Sequence, residues 1–197
     1  MDKYGSIDLE ELKNNICDKT ILVAIMLANN ETGVIHPIKK IAEIVHEKGS
    51  ILMCDATQAI GKILVDVQTE GIDLMCLSAP PFYGQTGLGA LYVRRKNPRV
   101  SLISQIDGGG HERGIRSGTL NVPAIVGFGK AAEIAQSEIN LDAEKNIFLR
   151  NKLEKNILSF GNFFVNGNIH SRLPNTSNIC FEGFKADEII SKIKTIA

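Results

Sequence analysis

Four polar residues stand just after apolar runs of strand length: Asn30 after ILVAIML (21–27), Asp55 and Gln58 after ILMC (51–54), and Ser78 after LMCL (74–77). In an open parallel sheet, ligands sit beyond the carboxyl ends of the strands, which would bring these residues to one rim. An acid, two amides and a hydroxyl converging there would form a polar binding site. Turn chemistry offers each residue a simpler role: Asp55 can cap the TQAIGK turn, Asn30 can hold a left-handed turn, and Ser78 can open a serine turn. It does not require all four together.

A second polar stretch, GGGHERGIRSGT (108–119), combines glycines with Arg113, Arg116, Ser117 and Thr119. Its backbone amides could form a phosphate nest, although ordinary turn glycines on a surface loop give the same pattern. A third, SAPPFYGQTGLGALYV (78–93), runs from a polar turn through a glycine-rich loop into an apolar strand. Pro80 and Pro81 fill its most reactive-looking position and offer no nucleophile, charge or backbone N–H. Two further glycine patterns lead nowhere. GFGKAA (127–132) fits a variant of the dinucleotide fingerprint, but a long charged helical run follows it instead of a second strand ending in an acid. GQTGLGA (84–90) lacks both the phosphate-loop Lys-Ser/Thr and the full dinucleotide spacing.

The elements that must position these residues alternate in a βαβ manner over the first 93 residues. Asp8 and Glu11 make a capping box for a short helix through Ile16. ILVAIML is continuous enough to be a strand buried on both faces of a parallel sheet. Pro37 opens a helix whose Ile38, Ile41, Ile44 and Val45 form one stripe and which Gly49 stops. ILMC, LMCL and GALYV (89–93) supply later strands. From Val122 to Ser159 the pattern is helical and charged, with Pro123 near its start and a break expected at Asn140–Asp142; a helix of that length commonly links two domains. FFVN (163–166) and SNICFE (177–182) read as strands, and ADEIISKIKTI (186–196) as an amphipathic helix.

At 197 residues and 44% hydrophobic, the chain can bury a sizeable core. Lys plus Arg and Asp plus Glu both number 22, so no net charge draws it to nucleic acid or an anionic membrane. The short basic cluster Arg94, Arg95, Lys96 and Arg99 reads as a solvated strand end. Cys17, Cys54, Cys76 and Cys180 form no C-x-x-C pair and the four histidines show no ligand spacing, so no metal site is expected. Without a secretory pattern at the N-terminus or an apolar run of spanning length, the expected location is the cytoplasm.

Taken in order, ANNETG, CDATQAIGK, DLMCLSA followed by FYG, GLGALYVRRKNPRV, DGGGHERGIRSGTLNVPAIVGFGKA and LPNTSNICF resemble the cysteine desulfurases of the class V aminotransferase family, which are fold-type-I pyridoxal phosphate enzymes. The resemblance runs from residue 1 to residue 197. It implies an α/β fold: the later part of a fold-type-I large domain over 1–135, mainly parallel sheet flanked by helices, then a linking helix and the start of a small α+β domain over 136–197. It also implies a reaction in which cysteine condenses with the cofactor and yields alanine, its sulfur passing to an enzyme cysteine for iron–sulfur assembly or tRNA thiolation. By the same resemblance Asp55 would pair with the pyridinium nitrogen, Asn30 and Gln58 would bond the ring oxygen and help orient substrate, and Ser78 would hold the cofactor phosphate. Thr119 would reach the phosphate of a neighbouring subunit, so a homodimer, or a heterodimer with a full-length desulfurase, is expected.

The chain departs from the family at the most informative place. Between Ala79 and Phe82 the family carries His-Lys, whose lysine forms the Schiff base, and this chain carries Pro80-Pro81. Gln85-Thr86 likewise replaces Pro-Lys. Against the family the chain is also expected to be truncated at both ends, beginning inside the family sequence and stopping before the loop that bears the sulfur-accepting cysteine. No catalytic residue is therefore assigned, covalent attachment of the cofactor is not expected, and the chain alone is expected to be an inactive member or a non-catalytic dimerising partner. The remaining reading is one half of a split active enzyme.

Overall fold

The computed structural model describes residues 1–193. Helix α1 (Leu9–Asn15) begins where Asp8 Oδ1 accepts from the amides of Glu10 at 2.9 Å and Glu11 at 3.0 Å, satisfying donors that a helix start leaves orphaned. Strands β1 (Leu22–Met26), β2 (Ile51–Asp55), β3 (Leu74–Ser78) and β4 (Gly89–Val93) form one sheet in that order. β1 and β2 are parallel and joined through α2 (Ile38–Glu47), a true βαβ unit. β2 and β3 are parallel as well, but residues 56–73 cross between them in turns. β4 runs antiparallel to β3, because the short 79–88 link cannot span the crossover of roughly a dozen residues that a parallel return needs.

Ile38, Ile41, Ala42 and Val45 of α2 are buried, with Ile44 at their margin, and they pack with Leu52, Cys54 and Ile72 in the main core. The opposite face of the sheet is open, which corrects the reading of ILVAIML as buried on both sides: Leu22, Ala24 and Met26 are exposed while Val23 and Ile25 are half-buried. Alternation along the strands and the cross-strand register put Met26, Asp55, Cys76 and Leu91 in one row on that open face.

Helix α3 (Val122–Leu158) is continuous over 37 residues, so the break expected at Asn140–Asp142 does not occur. Asn and Asp in a helix interior cost only about half a kcal/mol each, too little to interrupt so long a ladder. Position 135/136, where the two domains are expected to divide, falls inside α3. Beyond it, β5 (Phe163–Val165) and β6 (Ile179–Phe181) pair antiparallel, and α4 is described over Ala186–Lys192. The part of the expected final helix at 194–196 lies outside the described residues.

The chain then returns to its beginning. Ile35 N donates to Ser171 O at 3.0 Å, Leu173 N donates to Gly33 O at 2.8 Å, and Leu173 is fully buried in the main core. Gly33 has φ +75°, and a Cβ there would lie 2.7 Å from Thr176 Cβ, so only glycine lets the two segments approach this closely.

One reading of the basic cluster needs correction. Arg95, Lys96 and Arg99 are exposed, but Arg94 is buried: it donates to Val67 O (2.7 Å), Gln68 Oε1 (3.0 Å) and Ile72 O (3.1 Å). Its Nε also lies 3.2 Å from the wholly buried Asp73, whose other carboxylate oxygen contacts His46 Nε2 at 2.7 Å and the Leu52 amide at 2.9 Å.

Candidate functional site

Three strand ends deliver polar groups to one rim. Asp55 closes β2 with an exposed side chain, and Ser78 closes β3 two residues beyond Cys76, on the same open face as Asp55. Asp55 Oδ1 accepts from Thr57 N at 2.9 Å, so its turn role is real and coexists with an accessible carboxylate. Ser78 is half-buried and makes no side-chain hydrogen bond among the described residues. Opposite it stands Gly89, whose added Cβ would meet Leu77 O at 2.7 Å. Cys76 sits beside Asp55, and burial together with the neighbouring carboxylate pushes its thiol pKa up, keeping it protonated.

Asn30 lies in the turn after β1, exposed and without a side-chain partner among the described residues. The turn is held by its neighbour instead. Asn29 Oδ1 accepts from Glu31 N (2.9 Å), Thr32 N (2.8 Å) and Thr32 Oγ1 (3.1 Å), which leaves the Asn30 amide available at the rim. Gln58, half-buried in the turn after β2, accepts from Lys62 Nζ at 2.9 Å.

Pro80–Phe82 forms one 3-10 turn, followed by Tyr83 in the left-handed region at φ 65°. Ala79 anchors it: its amide donates to Leu88 O at 3.1 Å and its carbonyl accepts from Gly84 N at 3.0 Å. Phe82 is buried against Phe128 of α3, ring centroids 5.3 Å apart. Gly61, at φ +78°, presses on the same ring's stem, where a Cβ would lie 2.6 Å from Phe82 Cβ. The AIGK and PPF turns are thus in direct contact.

Thr119 does not join the other four. It lines an open groove of about 1630 Å³ along β4, together with Arg95, Arg99, Arg113 and Arg116, and none of Asn30, Asp55, Gln58 or Ser78 lines that groove. Several amides expected to form a phosphate nest are engaged within the loop. Gly110 N donates to Ser117 Oγ (3.2 Å), Gly118 N to His111 Nδ1 (3.3 Å), Ser117 N to Ile106 O (3.2 Å) and Gly114 N to Gly110 O (3.0 Å). Among the described residues no cluster of His, Cys, Asp and Glu could hold a metal ion, and no helix is long and apolar enough to cross a membrane.

The aminotransferase class-V family model matches residues 1–196. The chain belongs to that family. It is 48% identical to a protein described as cysteine desulfurase IscS from Anaeromyxobacter sp. strain Fw109-5, covering all of this chain and 49% of the relative. A solved NifS-like protein superposes with TM-score 0.91 at 37% identity, covering 96% of this chain and 51% of that one. The NifS-like protein of Rickettsia africae ESF-5 gives TM-score 0.89 at 31% identity, covering 95% and 52%. The chain spans about half the length of the curated relatives it matches. Its mixed, parallel-dominated sheet is that of fold-type-I pyridoxal phosphate enzymes.

The rim carries polar groups of the kinds that a cofactor with a ring nitrogen, a ring oxygen and a phosphate would need. Asp55 offers an accessible carboxylate that could meet a ring N–H, Asn30 and Gln58 offer amides, and Ser78 offers a hydroxyl with no hydrogen-bond partner among the described residues. Sequence reading did not pick out Asn29, Cys76 or the contact of Lys62 with Gln58. Each had a local signal: Asn29 begins an N-x-x-T turn, Cys76 alternates with Ser78 on one strand face, and Lys62 lies four residues after Gln58.

Proposed function

We propose that this chain is a cysteine desulfurase-type protein that cradles pyridoxal phosphate at the β1–β3 rim and does not by itself turn over cysteine. In this reading Asp55 holds the ring nitrogen protonated, Asn30 and Gln58 orient ring and substrate oxygens, and Ser78 takes the phosphate. The bound cofactor supplies an electron sink for the substrate carbon. Thr119 serves a neighbouring subunit across a homodimer or a heterodimer with a full-length desulfurase. The location consistent with this role is the cytoplasm, and the two-domain division at 135/136 is part of the same proposal.

One observation supports the inactive reading: Pro81, which by the resemblance stands where the family carries its amine, lies in a 3-10 turn and offers no nucleophile. Losing a group that acts as a unit with others removes most of the rate. Purified chain incubated with cysteine, pyridoxal phosphate and a reductant is expected to give no sulfide or alanine above the cofactor-only control. Turnover above that control refutes the proposal. Cys54 and Cys76 do not substitute as nucleophiles, since burial pushes Cys54 up to about 12 and raises Cys76 as well.

A further inference from the structure

The amine missing at position 81 has a near neighbour in space. Gly61 abuts Phe82, so the AIGK turn and the PPF turn touch, and Lys62 is the residue next to that contact. Its Nζ lies 2.9 Å from Gln58 Oε1, at one of the amides placed at the rim. The side chain is half-buried, and among the described residues no carboxylate lies within ion-pair distance of it. Lys40, close to the motifs in sequence, is exposed on α2 and has none of these features.

We propose that Lys62 is the aldehyde-capturing amine of this chain, standing in from a neighbouring turn for the lysine that Pro81 replaces. The proposal rests on the cradle reading above. The unprotonated ε-nitrogen forms a bond to the aldehyde carbon, the carbon–oxygen double bond gives way to a carbon–nitrogen double bond, and both amine hydrogens leave with the oxygen as water. No oxidant or reductant takes part. Burial lowers the Lys62 pKa, which raises the fraction of free amine available at neutral pH. Gln58 accepts one N–H and so aims the nitrogen toward the rim, as a flexible four-carbon stem alone would not.

The full chain is incubated with pyridoxal phosphate, reduced with borohydride, digested and mapped by mass spectrometry. The phosphopyridoxyl group is expected on Lys62 above every other lysine, with label on the protein falling at least five-fold in Lys62→Arg and unchanged in Lys40→Arg. Label spread evenly over exposed lysines overturns the proposal, and the wild-type map decides this even if a variant folds poorly. A parallel titration with pyridoxamine phosphate, which has no aldehyde, reads the cradle separately by calorimetry. Saturable binding that Asp55→Ala abolishes, without Lys62 labelling, removes Lys62 and leaves the cradle. Absence of saturable binding removes both.

Discussion

Asp73 shows how much one side chain can organise. Wholly buried, it meets a histidine from α2, the Leu52 amide of β2 and the guanidinium of Arg94, and so ties helix, sheet and the β4 exit together. Removing the charge leaves Arg94 buried without its counter-ion, so Asp73→Asn is expected to cost about 3–5 kcal/mol. Urea denaturation followed by circular dichroism checks this: the midpoint should fall sharply with the slope unchanged, and a loss under about 1 kcal/mol would contradict the assignment. This hub was not legible in the sequence, where Arg94 reads as one of four adjacent cations. Burial is a property of what lies above a residue, and nothing in RRKNPR marks the first arginine as different from the rest. The placement of Asn30, Asp55, Gln58 and Ser78 at or just after strand ends is legible because each follows a strand-length apolar run. Nothing in the spacing of the sequence sets Lys62 apart from other lysines; the contact of two turns does.

Strands and helices were read with small errors wherever hydrophobic period and caps agreed, as in α1 after Asp8 and α2 before Gly49. The open face of β1 was misread because a continuous apolar run looks the same whether its second face is covered or bare. The long helix owes its placement to a different device. Glu154 of α3 is buried and accepts from Arg172 Nη1 (2.6 Å), Arg172 Nη2 (2.7 Å) and Ser177 Oγ (2.7 Å), pinning the helix to the 171–177 segment. Burial pushes its pKa up, but the Arg172 and Ser177 hydrogen bonds outweigh that and hold it below the usual carboxylate value of 4.5. A depressed carboxylate pKa contributes stability above the unfolded value and loses it as pH falls through the folded one. Amide exchange at residues 171–177 is therefore expected to be slow at neutral pH and to accelerate as pH falls below about 4.5, after correction for intrinsic rates. Glu154→Gln should flatten this dependence, and an equally steep profile in that variant would show that another group controls it.

Across the whole molecule, apolar surface is left uncovered on two sides. The open sheet face shows Leu22, Met26 and Leu91, while α3 and its exit turn show Val126, Leu141, Phe148 and Phe160, the last 82% exposed. Large apolar side chains left exposed on a sheet face and along a long helix are surface that an interface can cover. Sedimentation velocity over rising protein concentration should reveal a species of twice the monomer mass, or a mixed complex once a full-length desulfurase is added. A chain that stays monomeric at all concentrations and ignores such a desulfurase would remove the dimer reading. The return of Leu173 to the core has a consequence for synthesis. A ribosome delivers Gly33 and α2 long before it delivers Leu173, so the nascent chain holds a half-closed hydrophobic centre until Leu173 emerges. Contacts of such large sequence separation form late and slowly. Protection of that interval falls to whatever binds unfinished chains, and premature termination anywhere upstream of Leu173 leaves a polypeptide unable to seal itself.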